Sequence, residues 1–222
     1  MLALAFSGGK DSMACLHLLR EQLDFAIFVD TGFTYPETHA MVDYAASLIK
    51  TVHVVLSDRS GQNLAQGIPA DVVPVEWTAM GQSMTCPKSV TVQSSISCCY
   101  ENLALPLLKK AKELGVTHLA YGQRREEAHR GTARHGDCVD GIIRLHPVEN
   151  WTTPQVFEYL ATKMTIPAHF ALTHSSLDCY DCTAFAKTSQ DRIDWTKAQY
   201  PDYDHAYQIR ANALHHALQE AR

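Results

Sequence analysis

The feature that most constrains this chain is an alternation of period. In its first half, short apolar runs take turns with longer amphipathic stretches. The runs over 2–6, 25–30 and 53–56 read as buried strands, and 117–121 is a fourth candidate. Between them, 11–20 and 36–50 carry helical patterns, with Pro36 suited to a first helical position. The stretch 97–114 reads as a further helix, closed by Gly115. Strands alternating with helices imply βαβ units. The expected fold is therefore α/β: a doubly wound, mostly parallel sheet with helices on both faces. Residues 57–95 break the rhythm with Gly61, Gly67, Pro69, Pro74, Gly81 and Pro87, and are expected to form a long loop or lid. Beyond them come a strand over 142–145, a helix over 154–164 and a tail helix over 203–221. Nothing in this succession marks a repeat, a low-complexity tract or a linker.

Composition narrows the function classes. Hydrophobic residues make up 46% and charged ones 19%, enough to build a core and to exclude wholesale disorder. With 19 Lys+Arg against 24 Asp+Glu the net charge is −5, which argues against gripping nucleic acid with the whole surface. No apolar run approaches the ~20 residues of a membrane span, so no membrane partner is expected. The chain passes from Met1 through an apolar run directly into a glycine loop, without a basic leader, and a cytoplasmic location is expected. Seven cysteines are too few for a disulfide-framed secreted domain. Cys98 and Cys99 are adjacent, Cys179 and Cys182 form Cys-x-x-Cys, and Cys15, Cys86 and Cys138 are scattered. In a reducing compartment such clustering suggests a metal or a cluster.

The strongest local signal is Ser7-Gly8-Gly9-Lys10-Asp11-Ser12, set between a strand and a helix. Two glycines let backbone N–H groups turn toward an anion, and the following helix adds its positive end. Ser7 and Ser12 bring hydroxyl donors and Lys10 brings charge. Asp30 lies at the carboxyl edge of the second strand, where open α/β sheets bind ligands. Arg124 and Arg125 follow another strand, and their forked donors suit phosphate or sulfate oxygens.

These motifs carry a resemblance. The hexamer resembles the pyrophosphate-binding loop of the adenine nucleotide alpha-hydrolase superfamily, and it lacks the Walker spacing. Val29-Asp30-Thr31-Gly32 followed by Tyr35-Pro36-Glu37-Thr38 resembles the signature of phosphoadenosine- and adenosine-phosphosulfate (PAPS and APS) reductases. Gly122-Gln123-Arg124-Arg125-Glu126 is similar to that family's Gly-x-Arg-Arg-Glu, with a later arginine falling one residue early at Arg130. His146-Pro147 through Trp151-Thr152 resembles the stretch before the last helix. A double cysteine, 79 intervening residues and Cys179-x-x-Cys182-Thr183 are similar to the [4Fe–4S]-bearing members. The resemblance implies a cluster on Cys98, Cys99, Cys179 and Cys182, with four thiolates as its usual complement. Zinc on four cysteines and unligated buried thiols remain the rival readings. It also implies an adenine nucleotide (ATP, APS or PAPS) on Ser7, Gly8, Gly9, Lys10, Asp11, Ser12, Asp30, Thr31, Gly32, Gly122 and Arg124. Catalytic parts would fall to Lys10, Asp11, Arg124 and Arg125. A single domain over 1–222 follows, with a nucleotide-binding core over 1–150 and a C-terminal helical part over 151–222 that carries the Cys-x-x-Cys.

Three departures from the family pattern bear on activity. The reductases' C-terminal Glu-Cys-Gly-Leu-His, whose cysteine attacks the sulfate sulfur, has no counterpart after Cys182. The lysine that follows the double cysteine is Leu103 here. The intact Ser-Gly-Gly-Lys-Asp-Ser is the form typical of enzymes that bind ATP and release pyrophosphate. Cys86, with Lys88 beside it, is a substitute nucleophile on paper. Three functions stay open. One is a sulfonucleotide reductase of sulfur metabolism with a thioredoxin-like or other electron donor. Another is an ATP pyrophosphatase that, with Mg2+, adenylates an acceptor such as a nucleic acid base for sulfur transfer. The last is a nucleotide-binding module without chemistry. A homodimer is compatible with each.

Overall fold

The structure is a computed structural model, and it describes residues 1–84, 91–127, 131–173, 177–185 and 188–220. Along the chain run β1 (Leu2–Ala5), α1 (Lys10–Leu19), β2 (Phe25–Asp30), α2 (Pro36–Leu48), β3 (Val52–Leu56), α3 (Arg59–Gln66), β4 (Ile68–Ala70), α4 (Ala79–Met84), β5 (Val92–Ser94) and α5 (Ser95–Cys99). There follow α6 (Leu105–Glu113), β6 (His118–Ala120), β7 (Cys138–Val139), β8 (Ile142–Leu145), α7 (Thr153–Ala161), α8 (Ala168–Leu172), α9 (Gln190–Gln199) and α10 (Pro201–Glu220). Contacts divide them into two compact units. One comprises Met1–Asp30, Tyr35–Leu56 and Pro106–Ala171; the other comprises Thr31–Thr34, Ser57–Leu105 and Leu172–Arg222.

The first unit holds the expected doubly wound sheet, in the order β3-β2-β1-β6-β8-β7. Its pairings are parallel except that of β7 with β8. Side chains alternate between its faces with the period of a strand. Leu4, Ala26 and Phe28 join Met13 and Leu16 of α1, Val42 of α2 and Val156 of α7 in one core. Ala3, Phe25 and Ile27 join Ala111 of α6 in the other. Helix α7 starts where the sequence pattern allows a sharp start: Thr152 and Gln155 form a reciprocal capping box, with Pro154 in the first turn. The chain runs outward from β1 on both sides, so the gap between β1 and β6 is the switch point where such sheets open a crevice at their carboxyl ends.

The second unit overturns one expectation. Residues 57–95 are not a long loop: they hold α3, β4, a 3-10 turn over Val75–Trp77, α4 and β5, with β4 and β5 paired in parallel. Asp58 caps α3 by accepting from the Gly61 N–H at 2.9 Å. Pro69 stands in β4 of a sheet with only two strands, an edge position that tolerates a missing N–H. Ala70, Trp77 and Val92 then pack with Leu214 and Ala217 of α10. Elements this short, each punctuated by Gly or Pro, read locally as turns.

The expected helix over 97–114 is also modified. A π-helical turn over Tyr100–Ala104 separates α5 from α6, and the Leu105 N–H reaches back to the Tyr100 carbonyl. Pro106 has no N–H for the Asn102 carbonyl, so a regular α-turn would be incomplete at this point.

Candidate functional site

The nucleotide-loop candidate lies where β1 gives way to α1. Gly8 has φ of +75°, and a Cβ there would meet Cγ2 of Thr38 at 2.8 Å, so glycine is required twice over. The contact gives Thr38, from the Pro36-Glu37-Thr38 helix start, a packing role. The two serines brace the loop. The Ser12 hydroxyl donates to the Gly9 carbonyl at 2.9 Å and accepts from the Ser7 hydroxyl at 3.1 Å and the Ser7 N–H at 3.3 Å. This geometry leads into the first turn of α1, whose N–H groups have no intrahelical carbonyl to bond.

Charge at the loop is organised by a buried arginine. Arg124 is 4% exposed; its Nε lies 2.7 Å from Oδ1 of Asp11 and 3.9 Å from Glu127. Its Nη1 pairs with Glu126 and donates to the Trp151 carbonyl at 3.4 Å. Asp11 turns its other oxygen to Nζ of Lys10 at 2.9 Å. Gly122 permits this arrangement: a Cβ there would fall 2.6 Å from the Ser12 nitrogen and 2.7 Å from the Asp11 carbonyl carbon. Burial pushes the Glu127 carboxyl up, reinforced by Asp11. The Thr153 hydroxyl, then Arg124, pull the Glu126 carboxyl down. Asp30 ends β2 with Nε2 of His39 at 3.8 Å.

Not every sequence candidate joins this group. Arg125 has a side chain 67% exposed and lies 3.6 Å from Glu149. Thr31 and Gly32 belong to the second unit, where the Thr31 hydroxyl meets the Cys179 sulfur at 3.3 Å. Arg130, Cys86 and Lys88 lie outside the described residues.

The second unit gathers the four clustered cysteines. Cys98, Cys99, Cys179 and Cys182 line one recess with Thr31, Arg59, Asn102 and Leu103. The Cys-x-x-Cys is a tight turn in which the Cys182 N–H bonds the Cys179 carbonyl at 3.2 Å. Arg192 of α9 clamps it, donating to the carbonyls of Cys179 (3.2 Å) and Cys182 (3.1 Å). On the other side the amides of Asn63 and Asn102 each stand 3.6 Å from the Cys98 sulfur. Both also donate to Gln62, which exchanges amide bonds with Gln93. Arg59, 2% exposed, pairs with Asp181 at 2.7 Å and stacks over Phe33. Burial pushes the Cys179 thiol up to about 12, against the opposing pull of Arg59 and the Thr31 hydroxyl. Cys99 and Cys182 are raised by burial too.

Four thiols around one recess, with N–H and O–H donors against two of the sulfurs and a guanidinium beside them, suit a thiolate-ligated inorganic group. Among the described residues no three Cys, His, Asp or Glu side chains stand close enough to hold a single metal ion. Sequence reasoning missed Arg59, Gln62, Asn63 and Asn102. Arg59 to Asn63 fell in the supposed loop, and Asn102 read as one more helical polar residue. Asp181 carried a faint signal, as a carboxylate between two clustered cysteines.

The model of the phosphoadenosine phosphosulfate reductase domain family matches residues 1–185. The chain belongs to that family. Its fold is that of the adenine nucleotide alpha-hydrolase superfamily. Among curated members, a phosphoadenosine 5'-phosphosulfate reductase of Alkalilimnicola ehrlichii is 29% identical over 171 residues, covering 76% of this chain and 63% of that one. The reductase of Thiocapsa roseopersicina is 28% identical, covering 75% and 64%. The chain thus spans less than two thirds of these relatives. A phosphoadenylyl-sulfate reductase from Candida auris, solved as a phosphate complex, shares the fold with a TM-score of 0.55 at 19% identity, each chain covered to 82%. No helix among the described residues of this reductase-family chain is long and apolar enough to cross a membrane.

Proposed function

We propose that this family member binds an adenine nucleotide on the Ser7–Ser12 loop, holds a [4Fe–4S] cluster on Cys98, Cys99, Cys179 and Cys182, and reduces a sulfonucleotide. The observation that carries the reading is the single recess lined by thiols from residues 98–99 and 179–182. One zinc ion, with bonds of about 2.3 Å, would draw its sulfurs to about 3.8 Å of each other. A four-iron cluster takes one thiolate per iron, and four cysteines line the recess. When bound, it supplies an iron centre whose potential answers to local charge and to hydrogen bonds at its sulfurs, here from Asn63, Asn102 and Thr31. In the first unit, the open N–H groups of α1 and Lys10 receive the nucleotide's phosphates, and Asp11 keeps Lys10 and Arg124 in register. Reduction to sulfite takes two electrons from a thioredoxin-like dithiol: one thiolate attacks the sulfur as the nucleotide leaves with the oxygen of the broken S–O bond, and the second thiol then displaces sulfite as the disulfide closes.

The intact loop favours a second reading, an ATP pyrophosphatase with Mg2+ that adenylates an acceptor such as a nucleic acid base and passes sulfur to it. There Lys10 would stabilise departing pyrophosphate. Anaerobic purification with iron and sulfide analysis tests the cluster: about four of each per chain are expected, and a colourless, iron-free anaerobic preparation refutes it. Sulfite released from APS or PAPS with thioredoxin favours the reductase, and pyrophosphate released from ATP favours the second reading. Binding without turnover leaves a nucleotide-binding module. Lys10→Ala should weaken nucleotide binding about ten-fold through loss of its charge at the phosphates; unchanged affinity removes the loop from the site.

A further inference from the structure

A second concavity in the cysteine-bearing unit shares Arg59 with the cysteine recess and is otherwise lined by different residues. It is lined by Phe33, Ser60, Leu64, Ile68 and two arginines, Arg59 and Arg210, with Asn63 between them and no acidic side chain in its wall. It holds about 310 Å³, at the lower end of the range of organic-ligand pockets. The two guanidinium groups share one carboxylate: Asp181 lies 2.7 Å from Nη1 of Arg59 and 3.2 Å from Nη1 of Arg210. Arg210 Nη2 also donates to Asn63 at 2.5 Å. That leaves Nη2 of Arg59 and Nε of Arg210, both buried, with no hydrogen-bond partner among the described residues. Asp181 and the thiols of Cys98 and Cys182 stand near both guanidinium groups, and the N–H groups left without a partner are the forked donors with which guanidinium captures a phosphate or carboxylate. Beside them, Phe33, Leu64 and Ile68 offer an apolar wall that a bare inorganic ion would not use.

The geometry points to a binding site for an organic oxyanion, a phosphate monoester or carboxylate with an aromatic or aliphatic body, its charged head on Arg59 and Arg210 and its body against Phe33, Leu64 and Ile68. The site is built wholly within the second unit and takes none of its donors from the loop at Ser7–Ser12.

Calorimetric titration of the full chain at low ionic strength tests it, with phenyl phosphate, benzoate and inorganic phosphate as probes. Phenyl phosphate or benzoate should bind at least ten-fold more tightly than inorganic phosphate, and equally well to the Lys10→Ala chain. Arg210→Gln should weaken that binding ten-fold or more. Leu64 is 89% exposed, so Leu64→Glu sets a negative charge at the mouth without touching the core and should weaken it similarly. Inorganic phosphate binding as tightly as the organic probes would refute the apolar wall. Organic-probe binding that survives both substitutions, or is lost with Lys10→Ala, would refute the site.

Discussion

Replacing Arg124 with Met should cost the first unit considerable stability, although the apolar stem is kept. The side chain is 4% exposed, and its Nε lies 2.7 Å from Asp11. At an effective dielectric constant near 20, charges that close attract by about 6 kcal/mol, most of which offsets the cost of taking both out of water. Methionine keeps the stem and removes the charge, leaving Asp11, Glu126 and Glu127 without the guanidinium and with Lys10 still paired to Asp11. Stranding a buried charge in this way costs about 3–5 kcal/mol, or roughly 6–20 °C in the midpoint of a chain of 222 residues. The penalty should also depend on pH in a definite direction. Without the guanidinium, whose charge lowers it, the Glu127 carboxyl rises further above its unfolded value near 4. The native variant then binds more protons than its unfolded chain, so its stability rises as pH falls from 7 toward 5, and the gap to wild type narrows. Urea unfolding followed by tryptophan fluorescence at pH 5, 6 and 7 measures this, with Arg124→Lys as the variant that keeps charge and loses the fork. A Met variant within 0.5 kcal/mol of wild type at pH 7, or a gap that widens on acidification, refutes the account of Arg124 as the cation that holds the loop's carboxylates.

Gly122→Ala should cost about 1–3 kcal/mol as overpacking and weaken nucleotide binding, because its Cβ would press on the backbone at Asp11 and Ser12; isothermal titration with ATP and APS measures the second effect. Asp58→Ala should remove about 1 kcal/mol by uncapping α3, read as a lower urea midpoint for the second unit. Glu127→Gln should stabilise the chain at pH 7, since burial disfavours the charge there; this raised pKa makes the gain shrink as pH falls and the native carboxyl protonates. Cys15, buried with its thiol pushed up to about 12, should resist iodoacetamide at pH 8 until the chain unfolds, while exposed Cys138 reacts at once. Mass spectrometry of partially labelled protein separates the two, since the buried thiol is ionised in only about one molecule in ten thousand.

Local pattern was enough to determine the sheet, the glycine loop and the cysteine pairs. Strand and helix periods are written in neighbouring residues, a backbone turned to φ +75° demands glycine at position 8, and adjacent or nearly adjacent cysteines declare themselves by spacing. Tertiary structure alone decided the rest. The stretch 57–95 has elements of three to eight residues whose apolar faces make sense only once α10 packs on them, so its Gly and Pro residues read as a loop. Thr31 reads with Asp30 in sequence, yet its hydroxyl goes to a cysteine 148 residues away. Arg124 and Arg125 are indistinguishable as letters; one is sunk among three carboxylates and the other stands in solvent, because burial depends on what the rest of the chain lays over a side chain. Arg59, Asn63 and Asn102 gain their meaning from the sulfurs they face, and contacts between residues so far apart in sequence leave no trace in local spacing.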